Sequence, residues 1–152
     1  MKLSIFSALL FIFGVLLSLS ACGGAPTASA SNASPEPAAV EEQASLIAAL
    51  EATGATVETG EPISQPFFSA EGNIIKVNGA DVQVFEYENA EKMELESSQI
   101  APDGNSNATT MISWIDTPHF YKTGRIIALY IGSDEAVLSL LEKTMGAQFA
   151  GG

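Results

Sequence analysis

An α+β domain with a mainly antiparallel five-stranded sheet, in the order α-βββ-α-ββ-α, is predicted for residues 44–150 by three features. Short runs of β-forming residues are broken by glycine-containing turns, and Asn78-Gly79 between two of them is the strongest short hairpin signal in the chain. Three other stretches carry apolar residues at helical spacing and are bounded by capping residues. The helices interrupt groups of strands instead of alternating with them one for one, which argues against a parallel α/β sheet.

The elements follow in order. Residues 41–53 place Leu46, Ile47 and Leu50 on one helical stripe, with acids at the start and Gly54 as terminator. Residues 63–68, 73–77 and 82–88 are three strands of a meander, separated by Ala70-Glu71-Gly72 and Asn78-Gly79. Asn89 caps a second helix bearing Ala90, Met93 and Ile100, which ends before Pro102 and the polar turn Asp103-Gly104-Asn105-Ser106-Asn107. Residues 109–121 and 125–131 form two further strands joined through Lys122-Thr123-Gly124. The last helix begins at Ser133, has Asp134 and Glu135 in its first turn, carries Val137, Leu138, Leu140, Leu141 and Met145, and stops at Gly146. Residues 66–75 (PFFSAEGNII) also align without gaps on residues 118–127 (PHFYKTGRII), which predicts two hairpins of one build.

Both faces of such a sheet need cover. Val82 and Val84 alternate with Phe85 and Tyr87, and Ile126, Ala128 and Tyr130 alternate with Ile127, Leu129 and Ile131. Five strands about 4.8 Å apart span roughly 24 Å, which takes two helices of about 10 Å diameter and leaves one helix for the other face. The remainder of that face is then either an exposed apolar and aromatic surface or is covered by the loop around Phe67 and Phe68.

Ahead of the domain, Met1-Lys2 and an apolar run from Leu3 to Leu19 suit a secretory signal, and the run, about 17 residues, is at the lower limit for a spanning helix. The tetrad Leu19-Ser20-Ala21-Cys22 resembles the lipobox of bacterial lipoproteins. This resemblance implies a signal peptide over residues 1–21, cleavage before Cys22, and a diacylglyceryl thioether on its sulfur. Several acyl chains anchor a protein stably where one does not. With one cysteine, no intramolecular disulfide can form. Residues 22–43 are mainly small and polar, too poor in apolar surface to order themselves, and read as a flexible tether reaching roughly 25 Å. The expected location is the bacterial cell membrane or envelope, lipid-anchored and facing outside the cytoplasm.

The chain has 18 acidic and six basic residues, and loss of Lys2 with the signal leaves five basic residues and a formal charge of −13. That argues against nucleic acid as a partner and against docking of the domain itself on anionic lipid. Membrane attachment rests on the lipid at Cys22.

Candidate chemistry is sparse. His119 is the only histidine, and with Ser113, Asp116 and Tyr121 it suggests an envelope enzyme, but no nucleophile motif accompanies it. Asp103, Asn105 and Asn107 reproduce the first ligand spacings of a calcium loop, whose sixth and twelfth positions are then Ala108 and Trp114 in place of Gly and Glu. No cofactor or metal is expected. Glu86, Glu88, Glu91, Glu94 and Glu96 read as a solvated edge, with Lys92 four residues from both Glu88 and Glu96.

The strings QPFF (Gln65 to Phe68), VNG (Val77 to Gly79), VQVFEY (Val82 to Tyr87) and PHFY (Pro118 to Tyr121) make the folded part resemble a group of small bacterial lipoprotein-like proteins. The resemblance implies a shared domain and transfers no catalytic residue. The expectation is a lipid-anchored module that binds a protein or small-molecule partner without chemistry, through Phe67, Phe68, Trp114, His119, Phe120 and Tyr121.

Overall fold

The computed structural model describes residues 39–108 and 110–152. The signal segment, Cys22 and residues 22–38 of the tether lie outside the described residues. The elements are α1 (Gln43–Ala52), β1 (Val57–Ile63), β2 (Gly72–Val77), β3 (Ala80–Glu86), α2 (Ala90–Ser97), β4 (Ser106–Asn107), β5 (Thr110–Met111), β6 (Pro118–Thr123), β7 (Ile126–Ile131), α3 (Glu135–Met145) and β8 (Ala150–Gly151).

Among the described residues the main sheet has six strands, in the order β1-β2-β3-β7-β6-β8, all neighbours antiparallel, and β4 and β5 form a separate pair. The α+β class and the antiparallel sheet therefore hold, and the five-strand count does not. The sixth strand is β8, two residues that pair with His119 and Phe120 and carry no local signal of their own.

Three element boundaries differ from expectation for identifiable reasons. The first strand lies at Val57–Ile63, not at 63–68, because it is an edge strand held by backbone pairing to β2, with exposed residues from Glu58 to Pro62. An apolar pattern cannot reveal such a strand, and Pro62 is tolerated at an edge. Residues 64–71 are therefore a loop, and the similarity of 66–75 to 118–127 does not reflect two hairpins. The expected strand over 109–121 is split into β5, a loop at 112–117, and β6, which opens on Pro118. Helix α2 ends at Ser97, and Ile100 reaches the interior beyond the helix, through an isolated bridge to Asn107.

Asn89 caps its helix as read, whereas Asp134, expected inside the first turn of a helix starting at Ser133, is itself the N-cap of α3. Asn89 accepts the Lys92 N–H at 2.9 Å, Asp134 accepts the Ala136 N–H at 2.9 Å, and Gly146 ends α3 at φ 90°. The β2–β3 hairpin closes on Asn78 and Gly79 at φ 51° and 88°, positive at both positions as a type I′ turn demands. Gly79→Val is expected to cost about 1–3 kcal/mol from backbone strain alone. A Cβ at Gly79 would meet nothing within 4 Å, so sterics add no further term. Urea unfolding against exposed Glu71→Gln measures it, and equal midpoints would exclude the strained turn.

The two faces divide as their alternation predicts. Helices α1 and α3 cover one, where Leu46, Leu50, Val137, Leu141 and Met145 pack on Val82, Val84, Ile126 and Ala128. Helix α2 covers part of the other, where Met93 meets Phe85, Tyr87, Ile127 and Leu129. The rest of that face is closed by Phe67 and Phe68 from the 64–71 loop, Trp114 from the 112–117 loop, and Phe149. The alternative of an exposed aromatic surface is thus corrected: Phe68, Phe120, Tyr121 and His119 are buried, and Phe67 and Trp114 are half-buried within the cluster.

Val40, expected in the tether, also belongs to the folded unit, as do Glu41 to Gln43, where the tether and the first helix were expected to overlap. Val40 is buried in the first core, its carbonyl accepts the Thr123 hydroxyl at 3.1 Å, and the Glu41 carbonyl accepts the Arg125 N–H at 2.9 Å. Val40 is the one large aliphatic in that polar stretch, so it can bury surface its neighbours cannot.

Candidate functional site

Strand β6 distributes the sequence-predicted residues between two environments. Phe120 points into the aromatic core, and its neighbours His119 and Tyr121 point to the α1/α3 side, as strand alternation requires. Phe67, Phe68, Trp114 and Phe120 form edge-to-face contacts with ring centroids 4.8–6.5 Å apart. These four are structural. The loop that carries Phe67 and Phe68 is fastened by polar bonds: Glu96 accepts from the Ser69 N–H at 3.0 Å and from the Tyr87 hydroxyl at 2.9 Å. Burial and that carboxylate push the Tyr87 hydroxyl well above its ordinary pKa. Glu96, read as a solvated surface acid, is therefore a clasp for the loop, while Lys92 pairs with Glu88.

Two clefts remain. The larger, about 620 Å³, lies beside the polar turn and is lined among others by Asp103, Asn105, Ser113, Trp114, Asp116 and Thr117. Three of its polar side chains bond to nearby backbone: Asp103 accepts the Asn105 N–H at 3.0 Å, Asp116 accepts the Thr117 N–H at 2.7 Å, and the Trp114 indole donates to the Gly104 carbonyl at 2.8 Å. Asn107, third in the calcium-like spacing, donates to the Phe67 carbonyl at 3.3 Å and is not among the lining residues. Among the described residues, no three His, Cys, Asp or Glu side chains gather as a metal-binding group.

The smaller cleft, about 320 Å³, is lined by His119, Tyr121, Leu138, Glu142, Ala147 and Gln148. Its floor is strand β6, and one wall is α3, where Leu138 and Glu142 fall one turn apart on the same face. Ser113 and Asp116 line the other cleft, so the structure does not bring a Ser/His/Asp constellation together.

The small cleft has an orientation that can be derived. The Gly151 carbonyl can only accept, so the amide nitrogen of Gln148, 3.1 Å away, faces it. The Gln148 oxygen then faces His119 Nδ1 at 2.8 Å, so Nδ1 carries a proton and Nε2 of the neutral ring presents a lone pair. Tyr130, paired with His119 across the strands, stacks on the imidazole at 6.2 Å and 25° and holds its plane.

Neither His119 Nε2 nor the Tyr121 hydroxyl has a hydrogen-bond partner among the described residues. Their residues are 7% and 3% exposed, and no side-chain nitrogen or oxygen sealed from solvent lacks a partner. Both atoms therefore reach solvent, and the cleft is the cavity their residues line. Burial first, and the negative charge of Glu142 second, raise the Tyr121 hydroxyl above its ordinary pKa, so it stays protonated at neutral pH.

Sequence reasoning reached His119 and Tyr121 and missed Glu142 and Gln148. The spacing of Leu138 and Glu142 on α3 was a usable signal, whereas Gln148 follows the helix stop and is brought to His119 only by β8. Comparison with protein-family models, curated proteins and solved structures finds no match to this chain.

Proposed function

We propose that this protein is a lipid-anchored extracytoplasmic module of a bacterial envelope that binds a small ligand without transforming it. The anchoring half is supported by the Leu19-Ser20-Ala21-Cys22 tetrad after an apolar run and by the polar stretch that follows. Among the described residues the first buried core residue is Val40, so a lipid on Cys22 would precede the folded part by about 17 residues. A high negative charge disfavours nucleic acid and anionic lipid as direct partners of the domain. Among the described residues no helix is long and apolar enough to cross a membrane.

The observation that carries the binding half is a cleft lined by His119 and Tyr121, two buried residues whose Nε2 and hydroxyl have no hydrogen-bond partner among the described residues. Buried polar groups are normally satisfied, and those left open toward a cavity mark where something else supplies the bond.

The anchor is tested by growing cells with a labelled fatty acid. The wild type is expected to carry the label, and Cys22→Ser is expected to lose it while folding normally, since residue 22 lies well before the first core residue. Label persisting on the serine variant would overturn the assignment.

A further inference from the structure

We infer that the cleft between β6 and α3 is a recognition site for a small organic cation bearing a primary ammonium group, held by His119, Tyr121 and Glu142. This inference rests on the reading of the domain as a small-ligand binder and specifies its ligand.

The argument is one of donor and acceptor counting. A primary ammonium has three N–H donors and no acceptor. The cleft offers three kinds of acceptor: the Nε2 lone pair of His119, the Tyr121 hydroxyl oxygen and the Glu142 carboxylate. In the neutral imidazole the first is an acceptor, because the Gly151–Gln148–His119 relay commits Nδ1–H to Gln148 at 2.8 Å. Among the described residues Glu142 is the only carboxylate lining the cleft, which holds no Lys or Arg, and it makes no ion pair, so it gives the cleft a negative charge. An anion would meet a carboxylate and a ring nitrogen lone pair, both repulsive. Leu138 and Ala147 supply the apolar wall for a short hydrocarbon body. A volume of about 320 Å³ lies at the small end of ligand pockets, which limits the ligand to a compact molecule.

A quaternary ammonium has the charge without the donors, and an alcohol of the same length has the body without the charge. Nuclear magnetic resonance titration of the detergent-solubilised full chain with propylammonium chloride, tetramethylammonium chloride and 1-propanol at matched ionic strength separates these. Propylammonium is expected to shift the His119 side-chain nitrogens and the Tyr121, Leu138 and Glu142 signals saturably, with the other two probes at least about tenfold weaker. Glu142→Gln, an exposed position whose change leaves the core intact, should weaken propylammonium about tenfold or more, and Tyr121→Phe about threefold or more. Equal response to tetramethylammonium or propanol, or an undiminished response in Glu142→Gln, would overturn the ammonium assignment while leaving a ligand cleft. No localised response to any of the three would overturn both readings.

Discussion

Phe120→Ala is expected to destabilise the domain by about 3–5 kcal/mol, a large part of the roughly 5–15 kcal/mol available to a domain of this size. Phe120 is fully buried at the centre of the second core. Its ring meets Trp114 at 5.8 Å, Phe149 at 6.0 Å and Phe68 at 6.5 Å, so one truncation opens a cavity bounded by three loop-borne aromatics. Loops relax more readily than packed helices, which places the value within that range by how far they collapse. The same change loosens the lid over the sheet, because each of those aromatics closes the face on a segment outside the six-stranded sheet and α2. Urea unfolding followed by circular dichroism gives the midpoint, and the single tryptophan, Trp114, reports the local loss through a red-shifted native emission. Ile115→Ala is the control, since that side chain is 98% exposed and its loss should stay within about 0.5 kcal/mol. Equal midpoints for the two variants would show that the aromatic cluster is not a second core.

Gly124→Ala is expected to cost about 2–5 kcal/mol, from two independent sources. The residue sits at φ 53°, where an L side chain costs roughly 1–2 kcal/mol. A Cβ there would lie 2.4 Å from Glu41 Cα and 2.6 Å from its carbonyl oxygen, and backbone cannot rotate aside. Overpacking of that kind costs about 1–3 kcal/mol. Relief requires moving the 40–42 segment, which breaks the Arg125 N–H bond to Glu41 and disturbs the Arg125 ion pair with Glu42 at 2.7 Å. The variant should therefore show a lower urea midpoint together with faster protease cleavage near residues 40–42. A lower midpoint with unchanged cleavage would place the strain elsewhere, and no change in either would show that the segment is not seated against this turn.

The elements with local chemistry of their own were legible in the sequence. Asn89 caps its helix through a side-chain oxygen that reaches only three residues along the chain, and Asn78-Gly79 sets its turn by two adjacent φ angles. The alternation of β3 and β7 likewise assigned each side chain to its face, because strand pleating has period two whatever lies above it. The missed elements lack such local causes. Strand β1 presents polar side chains and is held by main-chain bonds to β2, and β8 is two residues that become a strand because β6 is there to pair with.

For the candidate site, sequence placed His119 and Tyr121 in a distinctive string but grouped them with Phe120 and the loop aromatics as one surface. Strand geometry separates them: successive residues of β6 face opposite cores, so only His119 and Tyr121 can share a cleft with Glu142. What the sequence by itself determined is the class of fold, one helix cap, the Asn-Gly turn and the net negative charge, all of which follow from interactions within a few residues or from composition. What only the tertiary structure decided is which aromatics are core and which polar atoms remain open. Burial is a property of segments brought together from far apart, here residues 64–71, 112–117 and 148–151, and the relay from Gly151 through Gln148 to His119 exists only once β8 has paired with β6.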